Sequence, residues 1–181
     1  MEVVLSANNI ILDCDPGHDD ALAILLALSS PKEINCLGIT TSAGNVPLEL
    51  TTKNALRVLA LIKNNNIEVY KGCPKPLIGE LVTAENVHGE SGLDTGSGTS
   101  LPEPISSYKN KHAVNFILDT LKEAPNNDIT LVATGPLTNL AAAFSIDPQT
   151  FRRAKRIVLM GGAGFEPGNI TPAAEFNIYV D

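Results

Sequence analysis

Apolar positions along the chain come in short runs with two alternating spacings. Residues 10–14 (Ile-Ile-Leu-Asp-Cys) form a compact, β-branched run that predicts a buried strand, and the Leu- and Ala-rich run at 19–28 predicts a helix. That helix is apolar on nearly every face, so burial on all sides is expected. The alternation continues with a strand at 34–41, a Ser-Ala-Gly-Asn turn at 42–45 and a helix from Pro47 to about 63. Ala55, Leu56, Val58, Leu59 and Ile62 supply the buried stripe of that helix. A short strand at 67–70 follows. From 71 to about 108 the periodicity disappears into Gly, Pro, Ser and Thr, including Gly96-Ser97-Gly98, a length that suggests a functional lid. Order returns with a helix at 109–124 (Val114, Ile117, Leu118, Leu121 inward) and a strand at 129–133. A helix after Thr134-Gly135-Pro136 turns Leu137, Leu140, Ala141 and Phe144 inward, and a strand occupies 157–160. Ile178-Tyr179-Val180 reads as the opening of one more strand.

Repeated strand–helix units of this kind build an α/β fold, a mostly parallel sheet flanked by helices, as a single domain over 1–181. Ligands of such sheets bind beyond the carboxyl ends of the strands. The polar residues Asp13, Asp15, Asn45 and Thr134 and the loop 161–177 all fall just there.

The first unit concentrates charge. Asp13 and Asp15 are two apart and share a side of the strand end, Pro16 and Gly17 turn the chain, and Asp19 and Asp20 enter the first helical turn. Two carboxylates ~4 Å apart repel by roughly 4 kcal/mol at an effective dielectric of 20. Such a cluster takes up protons or a cation, and oxygen-only ligands favour a hard divalent ion. Helix capping and dipole complementation would account for Asp15, Asp19 and Asp20, but they leave Asp13, an acid inside an apolar strand, unexplained.

A net charge of −7 with no basic cluster argues against nucleic acid as a partner. Cys14, Cys36 and Cys73 have neither metal-ligand nor disulfide spacing, which suits a reducing cytoplasm. The segment 1–6 lacks the basic region of a leader peptide, and no apolar stretch reaches the ~18 residues of a membrane span. No GxxxxGK[ST] occurs, and Pro167 stands where a GxGxxG needs its last glycine. A phosphatase of the aspartate-nucleophile kind would require Thr or Val soon after the second Asp, where Pro16 and Gly17 stand.

Asp13-Cys14-Asp15-Pro16-Gly17-His18-Asp19-Asp20 resembles the DxDPGxDD signature of the inosine-uridine-preferring nucleoside hydrolases. The resemblance continues in order through Thr40-Thr41-Ser42-Ala43-Gly44-Asn45, His88-Gly89-Glu90-Ser91-Gly92, Thr134-Gly135-Pro136-Leu137-Thr138-Asn139, Leu159-Met160-Gly161-Gly162 and Ala174-Glu175-Phe176-Asn177. It implies a Rossmann-like fold and hydrolysis of the N-glycosidic bond of ribonucleosides such as inosine and uridine. Under it Asp15 and Asp20 would hold Ca²⁺ with the backbone carbonyl of Thr134, and Asp15 would also be the general base. Asp13 would stand behind them. Asp19, Asn45, Asn169, Glu175 and Asn177 would clamp the ribose, Met160 would line the sugar pocket and His88 would approach the base. His18 and His112 are left without a role. Viewed without the resemblance, Asn45 reads equally as a helix cap, His88 as a solvated loop residue and Met160 as core.

The absence of Trp points toward the broader inosine-uridine type. Relatives are commonly dimers or tetramers, so a homo-oligomer is expected. Family members are longer and carry a His-Asp pair in a C-terminal part, so the 181 residues are expected to be an incomplete chain that by itself binds calcium weakly and turns over slowly. The competing expectation is a catalytically silent ribose- or calcium-binding module of the same fold.

Overall fold

The computed structural model describes residues 7–94 and 98–181. Gly96 and Ser97 of the glycine-rich stretch, and the segment 1–6 read for a leader, lie outside the described residues. Five strands, β1 (Asn8–Cys14), β2 (Ile34–Thr41), β3 (Val69–Lys71), β4 (Ile129–Ala133) and β5 (Arg156–Leu159), form one sheet in the order β3-β2-β1-β4-β5. Every pairing is parallel. The chain winds outward from β1 through β2 to β3, then crosses back to β4 and β5. The order therefore reverses between β1 and β4, and the crevice at such a switch point is where doubly wound sheets bind ligands.

The helices are α1 (His18–Ser29), α2 (Leu48–Leu61), the single turn α3 (Glu85–His88), α4 (Ala113–Glu123), α5 (Thr138–Ile146), α6 (Pro148–Phe151) and α7 (Phe176–Val180). Alternation along β1 sends Ile11 and Leu12 to opposite faces. Ile11 joins Ile117, Leu121, Leu131 and Leu140 beneath α4 and α5, while Leu12 joins Ile24, Ile39, Val58 and Leu59 beneath α1 and α2.

Four expectations are corrected. Helix α1 is not buried all round: Leu22 and Leu26 are 68% and 66% exposed, because sheet and α2 cover only its inner side. Phe144 does not turn wholly inward but is 43% exposed, its ring set edge-on to Phe151 at 5.7 Å. Residues 178–180 are helical, since the Glu175 carboxylate accepts the N–H groups of Asn177 and Ile178 and starts a helical turn there. The helix expected from 109 begins at Ala113, where the His112 ring accepts the Val114 N–H at 3.2 Å. Among the described residues, no helix is long and apolar enough to cross a membrane.

Candidate active site

Three carboxylates at the end of β1 are almost wholly shielded from solvent: Asp13 is 1% exposed, Asp15 0% and Asp20 1%. None takes part in an ion pair among the described residues. Asp13 is held through Oδ1, which accepts the Thr40 hydroxyl and the Asn139 amide at 2.8 Å. The same amide group donates to the Thr41 carbonyl at 3.1 Å, and Asn139 Oδ1 accepts the Cys73 N–H at 2.9 Å. Asp15 and Asn45 clasp each other: Asp15 Oδ2 accepts the Asn45 N–H at 2.6 Å, and the Asn45 amide donates to the Asp15 carbonyl at 3.0 Å. Asp20 Oδ2 accepts the Gly17 N–H at 3.3 Å, closing the first turn of α1.

Each of the three keeps one carboxyl oxygen, Asp13 Oδ2, Asp15 Oδ1 and Asp20 Oδ1, buried with no hydrogen-bond partner among the described residues. Glycines make this density possible. A Cβ on Gly44 or Gly135 would come within 2.1 or 2.4 Å of the Asp15 carboxylate, so neither position has room for a side chain. Burial, followed by the neighbouring Asp20 charge, pushes Asp15 well above the usual carboxylate range. Burial likewise pushes Asp13 up to about 7, against the hydrogen bonds from Thr40 and Asn139. Asp20 is pushed up to about 6 by burial, with the nearby Thr134 side chain opposing. Burial thus favours the protonated forms of these acids when no cation accompanies them.

The donor set fits a hard cation. Orphaned oxygens of Asp15 and Asp20 lie just after β1 and in the first turn of α1, and the Thr134 carbonyl follows β4. That carbonyl accepts the Asn177 amide at 2.8 Å, which leaves a second lone pair. Among the described residues, no three His, Cys, Asp or Glu side chains converge as a metal cage.

Next to the acids, linked to Asp15 through Asn45, opens a pocket of about 310 Å³, near the lower end of the ~300–1,000 Å³ usual for small-molecule sites. It brings together eight residues anticipated from the sequence: Asp19, Asn45, His88, Thr134, Met160, Asn169, Glu175 and Asn177. Asp13, Asp15 and Asp20 do not line it. Asn177 donates to the carbonyls of Thr134 and Met160 at 2.8 and 3.0 Å and lies 3.3 Å from Met160 Sδ, tying β4 and β5 to α7. The Glu175 carboxylate accepts three N–H groups, from Asn177, Ile178 and Gly162. Asn169 Oδ1 accepts the Phe176 N–H at 2.8 Å. Both side chains therefore shape the pocket wall as well as facing it. Burial lowers the His88 pKa below the usual imidazole value, with Asp19 raising it and His18 lowering it.

Several contributors were not anticipated. Asn139 carries Asp13, and Asn54 on α2 donates to the carbonyls of Pro16 and Ser91 at 3.1 and 2.7 Å, joining the acidic loop to the segment after α3. An amide on the buried stripe of α2, level with Ala55 and Val58, was the available signal for Asn54. Asn86, Val87, Ile170 and Phe176 also line the pocket. His18, left without a role, lies against His88.

A parallel sheet with buried carboxylates at its switch point and a small pocket of amides and carboxylates beside them defines a class: doubly wound α/β proteins with a ligand crevice at the carboxyl ends of their strands. The chain belongs to the inosine-uridine preferring nucleoside hydrolase family, which it matches over residues 10–181. It is 55% identical over 172 residues to a pyrimidine-specific ribonucleoside hydrolase, RihA, of Salmonella arizonae, covering 95% of this chain and 53% of that one. Its fold is similar to a purine-preferring ribonucleoside hydrolase from Gardnerella vaginalis, with TM-score 0.88 and 36% identity over 96% of this chain and 55% of that one. A plant nucleoside hydrolase, PpNRh1, is similar with TM-score 0.83 and 41% identity, over 96% of this chain and 54% of that one. The chain thus spans about half the length of the curated relatives it matches.

Proposed function

We propose that this chain carries the catalytic half-site of a ribonucleoside hydrolase that cleaves the C1′–N bond to free base and ribose. The observation that supports the reading is the set of buried carboxyl oxygens of Asp13, Asp15 and Asp20 left unpartnered among the described residues, next to a polar pocket whose lining residue Asn45 clasps Asp15. In this reading Asp15 and Asp20, with the Thr134 carbonyl, hold Ca²⁺. A bound divalent cation supplies a water of lowered pKa at that position.

Asp15 takes a proton from the attacking water, whose oxygen bonds to C1′. The electron pair of the C1′–N bond leaves with the base, which takes up a proton from solvent as Asp15 returns the water's proton to solvent. Positive charge develops on the sugar as the bond breaks, and Asp19 and Glu175 face it from the pocket wall. Asn45, Asn169 and Asn177 orient the hydroxyls, since an amide offers both donors and acceptors. Met160 packs against the sugar, and His88 faces the base. Higher identity to the pyrimidine-specific relative than to the purine-preferring one favours uridine as the first substrate to test. The free thiols Cys14, Cys36 and Cys73 support a reducing, cytoplasmic setting.

The test is release of free base from uridine and inosine by the full chain, with and without a chelator. Asp15→Asn is expected to lower kcat by at least ~10²-fold, as for loss of a general base, and chelation to abolish turnover reversibly. Base release that survives Asp15→Asn would overturn the assignment.

A further inference from the structure

A second groove, of about 480 Å³, opens where β3 ends, and it shares no residue with the pocket beside the acids. That volume suits one small molecule. Its walls are fixed to the sheet. The Lys109 N–H donates to the Val69 carbonyl at 2.8 Å, and Lys109 pairs in parallel with Tyr70, so the segment 108–112 is fastened along the edge strand. Gly72 also lines the groove, and a Cβ there would collide with the Asn139 side chain and the Thr41 carbonyl. Main chain therefore forms that part of the wall.

The groove runs against the charge of the molecule. The chain is −7 overall with 13 Lys and Arg, yet Lys71, Lys109 and Lys111 all line this one cavity, against the single carboxylate of Glu49. Lys71 is the most shielded of the three, and its Nζ sits 5.3 Å from the centre of the Tyr108 ring. Lys71 pairs with Glu49, Lys109 with Glu68 at 2.7 Å and Lys111 with Asp119 at 3.0 Å. Glu68 and Asp119 lie outside the lining, and exposed pairs of this kind contribute little, so an entering anion exchanges with them readily. His112 adds a neutral donor. Its Nδ1 accepts the Val114 N–H, so the ring hydrogen is on Nε2, which has no partner among the described residues.

We propose that this groove binds a phosphate group, free or on a small ester, through Lys71, Lys109, Lys111 and the His112 Nε2–H. A phosphate monoester carries close to two negative charges and several acceptor oxygens, which suits ammonium groups converging as point charges. The confined volume and the negative charge of the rest of the chain select a small anion over a polyanion. The site is independent of the hydrolase reading.

The test titrates the full chain with inorganic phosphate, phenyl phosphate and phenol at constant ionic strength, by calorimetry and by ¹H–¹⁵N spectra. Both phosphates, but not phenol, should shift the amides of 71–73 and 108–112. Tighter binding of phenyl phosphate identifies an ester as the ligand, and equal binding identifies the phosphate group alone. Lys109→Gln combined with Lys111→Gln should weaken binding by ~10-fold or more, as loss of two charge-assisted hydrogen bonds does. Lys71→Met, which keeps an apolar chain beside Tyr108, should weaken it as well. Lys155→Gln removes the same kind of charge outside the groove and should change binding by less than ~2-fold. Absent shifts, shifts confined to 169–177, undiminished binding in the groove variants, or an equal loss in Lys155→Gln would overturn the inference. Base release enters none of these measurements, so their failure leaves the hydrolase reading standing.

Discussion

Asp13 is anchored by a residue far away in sequence. Asn139 reaches it across 126 positions, and with its one side chain also serves the Thr41 carbonyl and the Cys73 N–H. Replacing Asn139 with Leu strands these buried groups, each costing ~1–3 kcal/mol when left unpaired. A loss of about 3 kcal/mol in urea unfolding is expected, with no change in the slope of the transition. A loss under ~0.5 kcal/mol, the size of an ordinary surface change, would show that water replaces the amide. At this scale the sequence was half legible. The spacing of Asp13 and Asp15 in an apolar run announced a charged strand end, and chemistry demanded a cation or protons. The residues that make such crowding tolerable, Asn139, Gly44 and Gly135, were recognisable only as parts of loop motifs. Their function is a distance of closest approach, which no local pattern encodes.

The elements were legible wherever periodicity was strong, as in β1, β2, α2 and β4. They failed where a single contact outvotes propensity. Ile178-Tyr179-Val180 has strand composition, but the Glu175 carboxylate gathers the N–H groups that begin α7. The exposed ridge of Leu22 and Leu26 on α1 defeats the rule that an all-round apolar helix is buried. Within the aperiodic stretch, α3 and the residues after it are fastened to the acidic loop by Asn54, through Pro16 and Ser91. Asn54→Ala should free that segment. Amide hydrogen exchange at 89–94 is expected to rise at least ~10-fold, equivalent to about 1.4 kcal/mol of lost local stability, with exchange in β1 unchanged. Equal acceleration in β1 would mean that Asn54 supports the global fold instead.

For the whole molecule, buried acids link folding to pH and to cations. Asp13 and Asp20, raised to about 7 and about 6, hold protons in the folded state. The unfolded chain releases these protons near pH ~4. Folding therefore takes up protons between those values, so stability falls as pH rises through that window. Thermal midpoints of the metal-free protein should be higher at pH 5 than at pH 8. Calcium should stabilise at pH 8 far more than at pH 5, because binding needs ionised oxygens. A midpoint that rises toward pH 8 without metal, or a calcium effect equal at both, would contradict this linkage.

The strand order has a consequence for biosynthesis. β1 is made first, yet one of its two neighbours, β4, lies more than a hundred residues downstream, since Asn9 pairs with Ile129 and Asp13 with Ala133. Until the ribosome has delivered that partner, the acid-bearing strand keeps an open edge. Sheets closed by such distant pairings form slowly. Under the proposed reading, uptake of a cation, whose ligands would include the Thr134 carbonyl after β4, would thus report when β1 and β4 first pair.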